Sequence, residues 1–228
     1  MVSVSMIVEG GSLSTDTFEQ AVSNNAALRQ AMHRIFSEAL GRNDISVSID
    51  LAGGNRSATK KFIDSQEVRF LYTDLDRTKD KRDEWFTYME RNNPQKPLVV
   101  PEDKRPYVFF MIQEMEAWML KQPHAIDRWA EEKHLTRKKE NESVCNHPKL
   151  NVDDVEGISK PSKALADIIK QVYESGELRR NGKPKKAEYG KLKDSPSILN
   201  KINVKLLFAN DSELQSFCKK VEETYPRE

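Results

Sequence analysis

Short apolar runs alternate with stretches in which apolar residues recur every three or four positions, and that alternation predicts the elements. Val2 to Val8 is a mostly apolar or small run and predicts a first strand, ending in Glu9-Gly10-Gly11-Ser12, where the glycines permit a tight strand-to-helix turn. Asp16 or Thr15 can cap a helix to about Leu40, with Phe18, Ala21, Val22, Leu28, Met32, Ile35 and Phe36 as its apolar stripe. After the break at Gly41-Arg42-Asn43-Asp44, Ile45, Val47, Ile49 and Leu51 alternate as a second strand. That strand runs into Ala52-Gly53-Gly54-Asn55-Arg56-Ser57 and a short helix, Ala58 to Ile63. The third run, Val68-Arg69-Phe70-Leu71-Tyr72-Thr73, stops abruptly at Asp74-Leu75-Asp76. A polar loop then enters a helix to about Arg91, ended by Asn92-Asn93-Pro94. Leu98 to Val100 and Tyr107 to Ile112 are strand candidates, and helix follows from Glu116 to about Lys133 with a kink or restart at Pro123.

The order βαβαβαβα argues for a three-layer α/β fold with a mainly parallel sheet flanked by helices. Beyond it, residues 134–158 have weak periodicity and read as a loop, and Pro161 to Val172 reads as a helix. Residues 175–193 carry Arg179, Arg180, Lys183, Lys185, Lys186, Lys191 and Lys193 and read as a solvated, flexible run. Ser195 to Lys201 and Asp211 to Thr224 read as closing helices. The expected organisation is an α/β core over 1–133 with a helical and basic C-terminal elaboration, 134–228, packed on it.

Composition narrows the partners. Of 228 residues, 37% are hydrophobic and 32% charged, which predicts a globular protein with enough apolar material for a core. The net charge of +1 gives no global attraction for nucleic acid, so a phosphate-binding surface has to be local. No apolar run approaches a membrane span, and no signal-peptide pattern opens the chain. The two cysteines, Cys145 and Cys218, suit a reducing compartment, and a cytoplasmic location is expected.

Acids stand at the ends of three predicted strands: Glu9, the Asp74/Asp76 pair, and Glu114/Glu116. In open α/β sheets ligands bind beyond the carboxyl ends of the strands, and in a parallel sheet those ends share one edge. Converging carboxylates repel unless cations neutralise them. All-oxygen sites suit hard ions, so Mg²⁺ or Mn²⁺ is expected, with phosphoryl chemistry as the use.

Met6-Ile7-Val8-Glu9-Gly10-Gly11 followed by Tyr72-Thr73-Asp74-Leu75-Asp76 resembles the Toprim pattern, a Glu after the first strand and a DxD after a later one. Gly53-Gly54, Gln113-Glu114-Met115-Glu116-Ala117-Trp118-Met119-Leu120, Lys160-Pro161-Ser162-Lys163 and Tyr189-Gly190-Lys191 extend the likeness over most of the chain. Together they resemble the DUF4276 family of Toprim-like bacterial proteins. The resemblance implies a metal-dependent nuclease-like fold, paired with an ABC/SMC-like ATPase in anti-phage, abortive-infection cassettes. It implies Glu9 as metal ligand or general base, Asp74 and Asp76 as metal ligands, and Glu116 with Glu114 as a second metal position. Lys163 or Lys191 would neutralise the scissile phosphate. Gly11-Ser12-Leu13 lacks the second acid that many OLD-type Toprim nucleases place after the first Glu. Arg56, Lys60, Lys185, Lys186 and Lys191 are the expected nucleic-acid contacts, DNA or RNA, by simple phosphate neutralisation.

Two other readings compete. Asp74-Leu75-Asp76-Arg77-Thr78 fits the DxDxT nucleophile motif of haloacid-dehalogenase-like phosphatases, with Asp153-Asp154 as the later acids. A non-catalytic sensor or adaptor for the ATPase is the other. Cys145-Asn146-His147 suggests metal but reads as a surface loop, and His124 reads as a structural or surface residue.

Overall fold

Four of the apolar runs are strands of one sheet. In the computed structural model, which describes residues 1–11, 18–140, 143–152, 154–178, 180–182 and 184–227, these are β1 (Val2–Glu9), β2 (Ile45–Ala52), β3 (Phe70–Asp74) and β4 (Val108–Met111). Their order is β2-β1-β3-β4 and every pairing is parallel. The helices between them are α1 (Phe18–Leu40), α2 (Asn55–Asp64) and α3 (Arg82–Arg91). The predicted cap of α1 at Thr15 or Asp16 lies outside the described residues.

Side-chain alternation assigns the two faces of the sheet. Val4, Met6, Val8, Phe70, Tyr72, Phe109 and Met111 enter one core with α1 and the C-terminal helices. Ile7, Leu71, Val108 and Phe110 enter a second with Ala58 and Phe62 of α2 and Trp85 and Met89 of α3. Both faces of the central strands are covered, which is why those strands read as continuous apolar runs.

Pro123 divides the next helical stretch as expected, into α4 (Glu116–Leu120) and α5 (Pro123–Glu132). Then come β5 (Leu135–Arg137), α6 (Pro161–Val172), β6 (Tyr173–Leu178), β7 (Pro184–Lys186), α7 (Lys191–Leu199), α8 (Val204–Ala209) and α9 (Ser212–Thr224). The larger core takes residues from both ends of the chain: Phe217 of α9 meets the rings of Phe36, Phe70, Tyr72 and Phe109.

Three expectations are corrected. Leu98 to Val100 is not a strand: Leu98 N–H donates to the Met89 carbonyl, Val99 is 53% exposed, and Pro101 brings no N–H to extend a ladder. The stretch 134–158 contains β5 and three 3₁₀ turns, Val144–Asn146, Pro148–Leu150 and Val155–Gly157. The basic run is no plain loop either, because β6 pairs antiparallel with both β5 and β7, forming a second sheet of order β5-β6-β7. Arg179 and Lys183 lie outside the described residues.

Candidate functional site

The sheet order places β1, β3 and β4 side by side, so their acids share the carboxyl edge. Glu9 Oε2 accepts hydrogen bonds from Thr73 Oγ1 and from the Asp74 N–H at 3.0 Å. The first acid is therefore held against the end of β3. Asp74 Oδ1 accepts from the Met115 N–H at 2.9 Å, tying β3 to the loop after β4. Asp76 and Gln113 both adopt left-handed backbone, at φ 57° and 62°, which is costly for a residue with a Cβ and recurs at functional sites. The two are locked together: the Asp76 N–H donates to the Gln113 carbonyl at 2.7 Å, and the Gln113 N–H to the Arg77 carbonyl at 3.2 Å.

Glu116 opens α4 and is fully buried. Its Oε1 accepts from Tyr189 Oη at 3.0 Å, and its Oε2, which has no hydrogen-bond partner, faces Lys191 Nζ at 3.2 Å. The same ammonium stands 3.6 Å from Asp74 Oδ2. Glu114 Oε2 accepts from the Ser162 N–H at the start of α6, at 2.7 Å. A cavity of about 230 Å³ opens among Glu9, Gly10, Asp74, Met115 and Lys191.

Glycine makes this wall thin. Gly11 lies at φ +84°, and a Cβ there would sit 2.5 Å from Asn25 Oδ1. Gly10, at φ +153°, would meet Leu28 Cδ2 at 2.7 Å. Any side chain would strain the backbone and force the Asn25 or Leu28 side chain of α1 to shift.

Burial dominates the electrostatics. It holds the carboxyl of Asp74 well above the usual range against the pull of Lys191, with Glu9 and Glu116 adding repulsion. Glu9 is raised by burial despite its hydrogen bonds from Thr73 and Asp74. Asp76 is raised by burial and by Glu114, and Glu116 by burial against Lys191. Burial disfavours the Lys191 charge, but Asp74 and Glu116 outweigh it and hold its pKa above the ordinary value. The acids thus outnumber the positive charge available to them. An all-oxygen donor set is the kind a hard divalent cation takes, but Lys191 stands between Asp74 and Glu116, and no three of these carboxylates bring their oxygens within 4.8 Å of one another.

Several expected residues stand elsewhere. Lys163 does not point at Asp74 and Asp76; it lines a separate cavity with Lys149, Lys160 and Asp167, and the lysine at the acids is Lys191. Arg56 donates to the Met89 and Lys96 carbonyls, which fixes α2 to the end of α3. Lys60 pairs with Asp64 one helical turn away, and Lys185 pairs with Glu177 across the β6–β7 hairpin. Lys186 lines a further cavity with Lys133 and Asp194. Asp154 accepts from the Glu156 N–H as a turn cap and faces other cavities, while Asp153 lies outside the described residues. Asn55 is a member of the site that its residue type does not announce: its Nδ2 donates to the Asp74 carbonyl at 3.2 Å. Its place right after Gly53-Gly54, at the end of a strand, was the available signal.

No helix of the described residues is long and apolar enough to cross a membrane. No curated protein and no solved structure matches the chain. A family model described as a domain of unknown function, DUF4276, matches residues 17–222, which takes in all of the site except Glu9 to Gly11. The chain belongs to the DUF4276 family.

Proposed function

We propose that this protein is a Mg²⁺- or Mn²⁺-dependent nuclease that hydrolyses phosphodiesters, acting as the effector beside an ABC/SMC-like ATPase in bacterial anti-phage defence. The observation that carries the chemistry is that Glu9, Asp74, Asp76 and Glu116 lie beyond the carboxyl ends of three adjacent strands, with Glu9, Asp74 and Lys191 lining one cavity and Lys191 bridging Asp74 and Glu116. The cellular setting and the ATPase rest on the family resemblance, and a cytoplasmic location on the two cysteines.

A divalent cation bound there would polarise the phosphoryl oxygens and lower the pKa of attacking water. The protein's own groups would divide the remaining work. Glu9, oriented by Thr73 and the Asp74 N–H, has a carboxyl raised toward the range useful for taking a proton from water. Asp74 Oδ2 and Glu116 Oε2 both face the Lys191 ammonium, at 3.6 and 3.2 Å. Lys191 can turn its ammonium from these acids to a phosphate oxygen, placing positive charge where negative charge develops.

The test is cleavage of single- and double-stranded DNA and RNA with Mn²⁺ or Mg²⁺, with and without the ATPase, by wild type and by Asp74→Ala. Cleavage lost in Asp74→Ala, with small phosphomonoesters untouched, supports the nuclease. A beryllofluoride adduct on Asp74 would establish the phosphatase instead. Nucleic acid left intact in the assembled ATPase complex would establish the adaptor.

A further inference from the structure

A second constellation lies outside the carboxylate edge. His124 and Asp127 are three residues apart in α5 and so share one helix face. The turn Val144–Asn146 brings Cys145 onto that face, anchored by buried Val144. Sγ of Cys145 lies 3.4 and 3.7 Å from Nδ1 and Nε2 of His124 and 3.9 Å from Oδ2 of Asp127. Among the described residues, these form the one group of three ligand-type side chains whose donor atoms all lie within 4.8 Å of one another.

We propose that His124, Asp127 and Cys145 form a binding site for a borderline-soft divalent cation, Zn²⁺ in the first place. A tetrahedral ion with bonds of about 2.0 Å to nitrogen and oxygen and about 2.3 Å to sulfur sets ligand atoms about 3.5 Å apart. The sulfur–nitrogen and sulfur–oxygen spacings are within a few tenths of that, and the nitrogen–oxygen spacing lies within 4.8 Å, so a side-chain adjustment closes the site.

The arrangement argues against a nucleophile relay. In such a relay the acid orients the histidine from the side away from the thiol. Here the acid and the imidazole both face the sulfur, and convergence is what a metal requires. The outer contacts fit as well. Asp127 Oδ1 takes the Tyr173 hydroxyl and Arg137 Nη2, the latter at 3.2 Å, which leaves Oδ2 turned toward Cys145. Ser143 Oγ donates to Asp127 Oδ2 at 3.2 Å and accepts from the Cys145 N–H at 3.2 Å, holding the loop on the helix. Hydrogen-bonded support behind a ligand is the usual companion of a metal site. Asp127 is buried, Cys145 half-buried and His124 exposed, so an ion has a way in and a fourth position stays open to water. The donor set differs from the hard oxygens at Asp74, so the two sites would select different ions.

Co²⁺ in place of Zn²⁺ gives the test, since thiolate ligation produces a charge-transfer absorption that carboxylates do not. The purified full chain should bind one equivalent of Co²⁺ with that band, and Zn²⁺ should displace it. Cys145→Ser and His124→Ala should abolish the band, while Asp74→Asn should leave it intact. Tyr173→Phe should keep it with affinity reduced about 10- to 100-fold. No thiolate band in the wild type, a band surviving in Cys145→Ser, or one lost in Cys218→Ser instead would each overturn the proposal.

Discussion

Lys191→Met tests whether the charge balance of the carboxylate edge has been read correctly. In the limit of full water screening, an ammonium 3.2 Å from Glu116 and 3.6 Å from Asp74 is worth about 1.3 and 1.2 kcal/mol. At an effective dielectric constant of about 20 the same pairs give about 5.2 and 4.6 kcal/mol. The Lys191 side chain is 44% exposed, which moves the answer toward the screened end. A ceiling also exists, because an ordinary glutamate can escape by taking a proton at pH 7 for about 3.4 kcal/mol. The expected loss is therefore about 2–3 kcal/mol at pH 7, or roughly 4–12 °C in melting temperature for a chain of this size. The sign with pH follows from linkage. The folded carboxyls of Asp74 and Glu116 are raised above their unfolded values, so their favourable share of stability is complete below the ordinary carboxylate range. It is lost as pH rises through the folded values, and without Lys191 the loss is steeper. Thermal unfolding followed by circular dichroism should show the deficit at pH 7 and its narrowing by about pH 4. A variant that melts with wild type at pH 7, or one whose deficit is the same at both pH values, refutes the reasoning.

Asp74→Asn should be more stable than wild type at neutral pH and lose that advantage in acid, since it removes a carboxylate that burial disfavours; urea titrations at two pH values check this. Gly11→Ala should cost more than Gly54→Ala, because both lie at positive φ but only Gly11 would drive a Cβ against a neighbour, with about 1–3 kcal/mol of backbone strain common to each; paired denaturant midpoints decide it. Trp118→Phe should cost about 1–3 kcal/mol by removing the 2.8 Å hydrogen bond from Nε1 to buried Asp211, whose other oxygen caps α9, and unfolding by denaturant measures it. Mn²⁺ should raise the melting temperature of wild type by mass action and leave Asp74→Ala unmoved.

The sheet was legible because its signal is local. Val4 to Val8, Phe70 to Thr73 and Val108 to Met111 are buried on both faces, so each announces itself as an apolar run, and the acids that end them stand in plain view. The small second sheet was not legible because its strands bury little. Lys185 and Lys186 of β7 are exposed, and Glu174, Glu177 and Gly176 break the alternation in β6, so pairing with β5 rather than burial defines these strands. Cys145 pointed to metal through its neighbour His147, but that histidine faces Gln171 and the Lys149 N–H, and the partner in space is His124, 21 positions back.

Lys191 shows the same limit at the site itself. In the sequence the family resemblance names it only beside Lys163, and nothing local separates the two. What singles it out is tertiary: Gly190 N–H donates to Asp194 Oδ2, Asp194 pairs with Lys133, and Tyr189 bonds Glu116, so the start of α7 is pinned against α4. The carboxylates come from residues 9 to 116, but the ammonium and the Tyr189 hydroxyl that meet them come from beyond residue 188. The C-terminal helices also supply Phe217 to the aromatic cluster beneath β3. Removing the segment from α6 to α9 would expose the larger core and strip the acids of their cation in one step. The strand-end acids and the helices that follow residue 134 are therefore parts of one site, and a metal or phosphate that enters it has to deal with both.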